Sequence, residues 1–381
     1  MKKEILLTPG PSQVPPRVRA AEARPAIHHR GEEFKRIYAK LHSDLKELLN
    51  TKGDVFILGS SGTGAMEACV ANTLSAGDRV VVGNTGKFGE RFAQINRAYG
   101  VEVVEIKKEW GGIVTPQELD ELLKREKDIH AVFITHSETS SGVMNPIDKL
   151  GKIAAAHGAL FIVDSISAIG GLEIRVDEWG IDMLAAGSQK ALMIPPGLAF
   201  LAVGEKARKA YEKSKLPKFY FDIKAYRDSL AKDGECPYTI PVSLCLALSE
   251  AIAMMREEGF ENIYARHRRL ALAMRAGVKA MGLEFFSQHQ SFVETVFRVP
   301  EGIDGVQLVR LVREKYGVRL SGGQSSYKGK IVRIAHMGYV TEHDILLAIA
   351  TLEMVLKELG FPVELGSGIR AAEEVFLNNK I

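Results

Sequence analysis

Between residues 55 and 203 the chain alternates short apolar runs with stretches whose apolar residues recur every three or four positions. The strand candidates are the runs 55–58, 79–83, 101–106, 131–135, 159–164, 182–187 and 198–203, the first five of them rich in β-branched residues. Several of them, such as Val55-Phe56-Ile57-Leu58 and Phe161-Ile162-Val163-Asp164, are apolar on both faces. Strands of that kind belong to a mostly parallel sheet covered by helices on both sides. The intervening stretches read as helices: Leu119, Leu122 and Leu123 share a face of 118–127, and Leu150, Ile153 and Ala154 share one of 147–157. The alternation predicts an α/β layer structure.

After Pro241 the pattern changes. A helical reading runs from Ser243 to about Met281, with a break expected near Gly259. Strands at 292–299, 318–321 and 331–336 then interleave with helices at 305–316 and 341–359. The expected organisation is an extended Pro- and Gly-rich arm over 1–16, a large domain over 17–260 and a small C-terminal α+β domain over 261–381.

Composition narrows the classes. The 381 residues are 46% hydrophobic and 25% charged, as in an ordinary globular protein. Lys plus Arg is 50 against 47 for Asp plus Glu, a net charge of +3. That balance argues against nucleic acid as a partner. The longest uncharged stretches, 191–204 and 236–249, contain prolines or polar residues and fall short of the ~18–20 apolar residues of a membrane span. No secretory signal follows Lys2 and Lys3, and Cys69, Cys236 and Cys245 form no disulfide framework. A reduced, cytoplasmic location is the expectation.

Three places carry candidate chemistry. Gly59-Ser60-Ser61-Gly62-Thr63-Gly64 joins a strand to a helix, so its small residues let backbone N–H groups and a helix N-terminus meet an anion. It is neither a GxGxxG nor a P-loop, and a plain Gly-rich turn reads the same way. Asp164 ends the buried run Phe161-Ile162-Val163, at the strand end where α/β sheets bind ligands. Alone it also reads as a helix cap. Lys190, in Gly187-Ser188-Gln189-Lys190-Ala191-Leu192, follows another apolar strand; desolvated it would be nucleophilic, and alone it would be a surface lysine. An anion cradle, a strand-end acid and a lysine 26 positions later are together what pyridoxal phosphate needs. The cofactor takes a lysine partner, an acid at its ring nitrogen and a phosphate site.

The chain resembles the class V aminotransferases of fold-type I, in the alanine–glyoxylate / serine–pyruvate branch. The likeness extends from Leu6-Leu7-Thr8-Pro9-Gly10-Pro11-Ser12 to Val332-Arg333-Ile334. Its most specific pieces are His136-Ser137-Glu138-Thr139-Ser140-Ser141-Gly142, Val163-Asp164-Ser165 and Ser188-Gln189-Lys190-Ala191-Leu192 before Pro195-Pro196-Gly197. The resemblance implies that Lys190 bonds the cofactor and carries protons and that Asp164 pairs with the pyridinium. It implies phosphate binding by Ser61, Gly62 and Thr63, ring stacking by Phe88, and cofactor contacts from Gln189 and Thr139. Arg333 is implied as the clamp on the substrate α-carboxylate, a task that suits a planar fork. Phe88 stands where the closest eukaryotic relatives carry Trp, Thr63 where relatives often carry His, and Cys236 where Tyr or Thr is common.

A homodimer with shared sites is also implied, with Thr239 of Tyr238-Thr239-Ile240-Pro241 reaching the neighbour's phosphate. The Pro-rich arm over 8–16 fits a segment ordered by that partner. The implied reaction is ping-pong transfer of an amino group between alanine or serine and glyoxylate or pyruvate. One arginine clamp suits monocarboxylates; phosphoserine would need further cations, and the sequence cannot place Arg30, Lys328 or Lys330. A cysteine desulfurase would need a thiolate in the C-terminal half, and no Cys follows Cys245. A non-catalytic subunit of a larger complex would leave the Lys190/Asp164 pair without a purpose.

Overall fold

The computed structural model describes residues 4–378. In chain order the strands of the first two-thirds are β1 (Ile5–Leu6), β2 (Asp54–Leu58), β3 (Arg79–Asn84), β4 (Glu102–Lys107), β5 (Ile129–Thr135), β6 (Ser137–Glu138), β7 (Val143–Met144), β8 (Leu160–Asp164), β9 (Met183–Gly187) and β10 (Ala199–Val203). Seven of them form one sheet in the order β2-β10-β9-β8-β5-β3-β4. Strand β10 runs antiparallel to β2 and β9, and the other pairs are parallel. The runs that read as apolar on both faces are the buried ones: every residue of β8, β9 and β10 is inaccessible. Helices such as Gly62–Thr73, which buries nearly all of its residues, cover the sheet. Burial on all sides removes the amphipathic stripe by which a surface helix is recognised.

Caps mark several helix starts. Thr115 and Glu118 form a reciprocal capping box for Pro116–Arg125, and Thr341 with Asp344 does the same for Glu342–Glu358. Asp304 accepts from the N–H groups of Val306 and Gln307 at the start of Gly305–Tyr316. The break expected near Gly259 separates Val242–Glu258 from Phe260–Ala280, and Gly259 sits there at φ 88°. A side chain would resist that backbone geometry.

The remaining strands are β11 (Glu294–Arg298), β12 (Val318–Arg319), β13 (Ser321–Gly322) and β14 (Ile331–Ala335), and β11, β12 and β14 contribute to a second hydrophobic core. Its sheet has the order β11-β14-β13, so β14 is central. The core packs Leu270, Met274 and Val278 against Phe297, Val332, Ile334, Ile349 and Leu352.

The N-terminal segment, expected as an arm without a core of its own, is seated on this same chain. Strand β1 pairs in parallel with β12, and the Ala335 N–H donates to the Leu7 carbonyl at 2.8 Å. Ile5 and Leu7 are buried in the second core. Apolar residues at positions 5 and 7 give a two-residue strand an inward face, a pattern too short to stand out in the sequence. No helix among the described residues is long and apolar enough to cross a membrane.

Candidate active site

Parallel strands bring their C-terminal ends to one side of a sheet, and the polar residues that end them meet there. Asp164 closes β8, level with Thr135 of β5 and Ala185 of β9. Lys190 comes three residues after β9, on the turn that leads into β10. Both are buried. They line one cavity of about 330 Å³, together with Ser61, Gly62, Thr63, Phe88, Gln189 and the unforeseen Arg91.

The N-terminal segment forms a wall of this cavity through Gly10 and Pro11. Ser12 N–H donates to the Gln189 carbonyl at 3.0 Å and Ser12 Oγ to the Lys190 carbonyl at 2.5 Å. Lys190 Nζ donates to the Pro9 carbonyl. A Cβ on Gly10 would stand 2.6 Å from Lys190 Cε and Nζ, so a side chain there would push the lysine aside, and the φ of 133° is one that side chains rarely adopt.

Burial is the main influence on both groups. It pushes the Lys190 ammonium down from its usual pKa, with Arg333 adding to the fall and Glu294, Asp164 and Glu138 opposing it. A lysine that gives up its proton readily is a nucleophile. Burial pushes Asp164 up to about 7, with Glu138 adding to the rise; the Ile166 N–H at 2.9 Å, Lys190 and Arg91 oppose it. The acid therefore lacks a full counter-charge, and a protonated ring nitrogen would supply one.

The rest of the cavity fits the cofactor in the same way. The helix Gly62–Thr73 opens at the cavity with Ser61 as N-cap and no side chain capping its first N–H groups, an arrangement suited to a phosphate. A Cβ on Gly62 would lie 2.5 Å from Ile166 Cδ1, so a side chain there would force Ile166 to move. Arg91 Nη1 donates to Thr63 Oγ1 at 3.0 Å, and its guanidinium lies 4.9 Å from the Phe88 ring centre. Phe88 also faces Lys190, with Nζ 5.9 Å from the ring centre. Gln189 Oε1 is buried without a donor.

Three sequence candidates lie off this cavity. Thr139 is buried and uses its carbonyl, which accepts from Arg333 Nη1 at 2.6 Å. Arg333, central in its sheet between Val296 and Ser321, also donates from Nε to the Gly322 carbonyl at 3.0 Å. Two backbone acceptors thus fix the plane of its guanidinium. Thr239 is exposed. It does not cap the helix that follows, which begins at Val242 with Pro241 as N-cap and no side-chain cap. Arg30, Lys328 and Lys330 are exposed and do not line the cavity.

Glu138, within the His136–Gly142 motif, is a junction in the structure. Its Oε2 accepts from the N–H groups of Phe88 at 2.8 Å and Gly89 at 3.0 Å. Its Oε1 accepts from Ser140 N–H at 3.1 Å and Ser140 Oγ at 2.5 Å. One buried carboxylate thereby ties the helix Lys87–Ala98, which carries Phe88 and Arg91, to the 137–142 loop. Arg91 had a sequence signal, three residues after Phe88 on the same helical face. Glu294 had none.

Comparison with known proteins agrees with this arrangement. The class-V aminotransferase family profile matches residues 6–347. A protein of Synechococcus sp. described as the small subunit of a soluble hydrogenase is 43% identical over 98% of both chains. An L-aspartate–glyoxylate aminotransferase of Paracoccus denitrificans is 38% identical over 97% of this chain and 95% of its own. The crystal structure of a ureidoglycine–glyoxylate aminotransferase from Bacillus subtilis superposes with a TM-score of 0.95 at 31% identity, covering 99% of each chain.

Proposed function

This chain belongs to the class-V aminotransferases, pyridoxal-phosphate enzymes of fold-type I, and from that premise we propose that it moves an amino group between alanine or serine and glyoxylate or pyruvate in a ping-pong reaction through Lys190. When bound, the cofactor supplies the electron sink that makes the substrate Cα–H bond labile. The chain's own residues bind, orient and move protons. Lys190 holds the cofactor and carries the proton at Cα. Asp164 keeps a positive charge on the ring nitrogen. Ser61, Gly62 and Thr63 take the phosphate, with Arg91 as a nearby cation. Phe88 packs on the ring, Gln189 offers its unpaired oxygen, and Thr139 lies beside the cofactor. Arg333 receives the α-carboxylate. Thr239, exposed and uncommitted to a cap, reaches the phosphate of the second subunit in a homodimer.

The observation that carries this reading is the buried Lys190 and Asp164 facing one cavity at the C-terminal ends of β8 and β9. The choice of a monocarboxylate donor rests on Arg333 as the one arginine assigned to a substrate carboxylate, since Arg91 lies at the phosphate end beside Thr63 and Arg30, Lys328 and Lys330 are exposed. The aspartate-using relative favours a second reading, in which aspartate is the donor. A panel of alanine, serine, aspartate and phosphoserine, each mixed singly with the yellow holoenzyme, separates them. Loss of the yellow absorbance should be fast with alanine or serine, slow with aspartate and phosphoserine and absent in Lys190→Ala. Preferred turnover of aspartate would replace the monocarboxylate reading.

A further inference from the structure

Among the buried acids around Lys190, Glu294 stands apart. It is wholly inaccessible, and neither carboxylate oxygen has a hydrogen-bond donor. Glu138 already has four donors, and Asp164 has the Ile166 N–H and faces the cavity. A carboxylate buried with no donor costs several kcal/mol in general, so such a group is normally waiting for a partner.

Its position says which partner. In the antiparallel pair of β11 with β14, Glu294 stands opposite Ala335 and Val296 opposite Arg333. Residues two apart on a strand share a face, so Glu294 and Arg333 are diagonal neighbours on one face, within reach of each other's long side chains. That face looks toward the 137–142 loop. A Cβ on Gly142 would lie 2.3 Å from Val296 Cγ2 and 4.0 Å from Glu294 Cγ, while the Thr139 carbonyl of the same loop holds Arg333. On the other side β14 borders the N-terminal segment through Leu7, two residues before the Pro9 carbonyl that Lys190 Nζ contacts. Arg333 and Lys190 are accordingly the cations that act on Glu294, and Glu138 is the anion.

We propose that Glu294 and Arg333 form a matched pair of poles for the zwitterionic head of the amino-acid donor, Arg333 taking the α-carboxylate and Glu294 the α-ammonium. This rests on the reading of Arg333 as the carboxylate clamp. In the present arrangement the positive charge of Lys190 acts on Glu294 through space, without a hydrogen bond. Once Lys190 is bonded to the cofactor that charge is gone, and the donor's ammonium replaces it. The carboxylate then has a further use. An amine must be neutral to act as a nucleophile, so an ammonium N–H bond breaks with its electron pair left on nitrogen, and an O–H bond forms on Glu294. Burial raises the affinity of Glu294 for a proton, which favours that transfer. The same negative pole works against a donor with a second carboxylate close to the first.

Glu294→Gln in the holoenzyme tests the proposal, with two ligands measured by calorimetry. The probe is 2-methylalanine, which has both head-group charges but no Cα hydrogen and so binds without turnover. The control is propionate, which has the carboxylate alone. A charged hydrogen bond of ordinary strength corresponds to a loss of about 10- to 100-fold in affinity. Glu294→Gln should therefore weaken 2-methylalanine by that factor and leave propionate within about twofold. It should slow the half-reaction with the amino donor. Its melting temperature should hold, since no donor in the protein loses its acceptor. Glu294→Asp, which keeps the charge, should recover part of the affinity and covers the case in which the glutamine variant folds poorly. Equal weakening of both ligands, or of neither, overturns the proposal. Arg333→Gln should weaken both ligands; if it weakens neither, the carboxylate-clamp reading fails and this pairing fails with it.

Discussion

Replacing Glu138 by glutamine changes one atom at the junction that places Phe88 and Arg91. The carboxylate accepts four hydrogen bonds: Phe88 and Gly89 N–H on one oxygen, Ser140 N–H and Oγ on the other. The amide keeps a single acceptor oxygen. Turned toward Phe88 and Gly89, that oxygen retains two bonds at roughly half their charged strength, a loss of about 1 kcal/mol each. The amide nitrogen then faces Ser140. The Ser140 hydroxyl can rotate to accept from it, but the Ser140 N–H loses its acceptor at a cost of about 1–3 kcal/mol. Relief from burying a charge offsets part of this, leaving a net loss of about 3 kcal/mol. For a chain of this size that corresponds to a fall in melting temperature of roughly 5 °C. Because Phe88 and Arg91 ride on the same helix, the cofactor should also dissociate more readily. Differential scanning calorimetry and spectroscopic titration with pyridoxal phosphate read the two effects. A melting temperature within about 1 °C of the parent, with unchanged cofactor affinity, would show that these donors are satisfied without Glu138 and would remove it as the junction.

Two further outcomes are expected. Asp164 is raised from an ordinary carboxylate value to about 7 in the protein without cofactor, so the folded chain binds its proton more tightly than the unfolded chain does. Stability from this group is therefore complete below about pH 4 and lost as the pH rises toward 7, by up to about 4 kcal/mol. Asp164→Asn should flatten that part of the stability–pH curve of the cofactor-free protein and, in the holoenzyme, remove most turnover; a parallel curve with normal turnover would take Asp164 out of the site. For the shared site, Lys190→Ala and a bulky replacement at Thr239 should each be nearly inactive alone. Mixed dimers should recover up to about half the parental activity, and verified subunit exchange without recovery would show that each chain completes its own site.

How much of this was legible in the sequence depended on how local each signal was. Strands β8, β9 and β10 announce themselves because burial on both faces demands unbroken apolar runs. The capping boxes at Thr115 and Thr341 lie within a few residues of the helices they start. The helix Glu32–Leu48 also carries a local signal, since Phe34, Tyr38, Leu41, Leu45 and Leu48 recur at helical spacing and form its buried face. Lys190 and Asp164 stood out because a charged residue at the end of an apolar strand conflicts with its surroundings, and such conflicts collect at sites of chemistry.

What the sequence by itself determined, then, was the layered α/β architecture, the family and the pair of groups at the sheet's C-terminal edge. All three rest on periodicity, on short motifs and on residue types that contradict their neighbours. Tertiary structure alone decided which distant residues share a cavity. Pro9 reaches Lys190 across 181 positions, and Arg333 reaches the Thr139 carbonyl across 194. It also decided that the N-terminal segment is a strand of the second core and that Glu138 is fully satisfied. Glu294, an unremarkable glutamate in the run Val293-Glu294-Thr295-Val296, was left without a donor by the same packing. Hydrogen-bond partners and dielectric surroundings are properties of packed neighbours. A chain that brings those neighbours from hundreds of residues away leaves no local pattern to read.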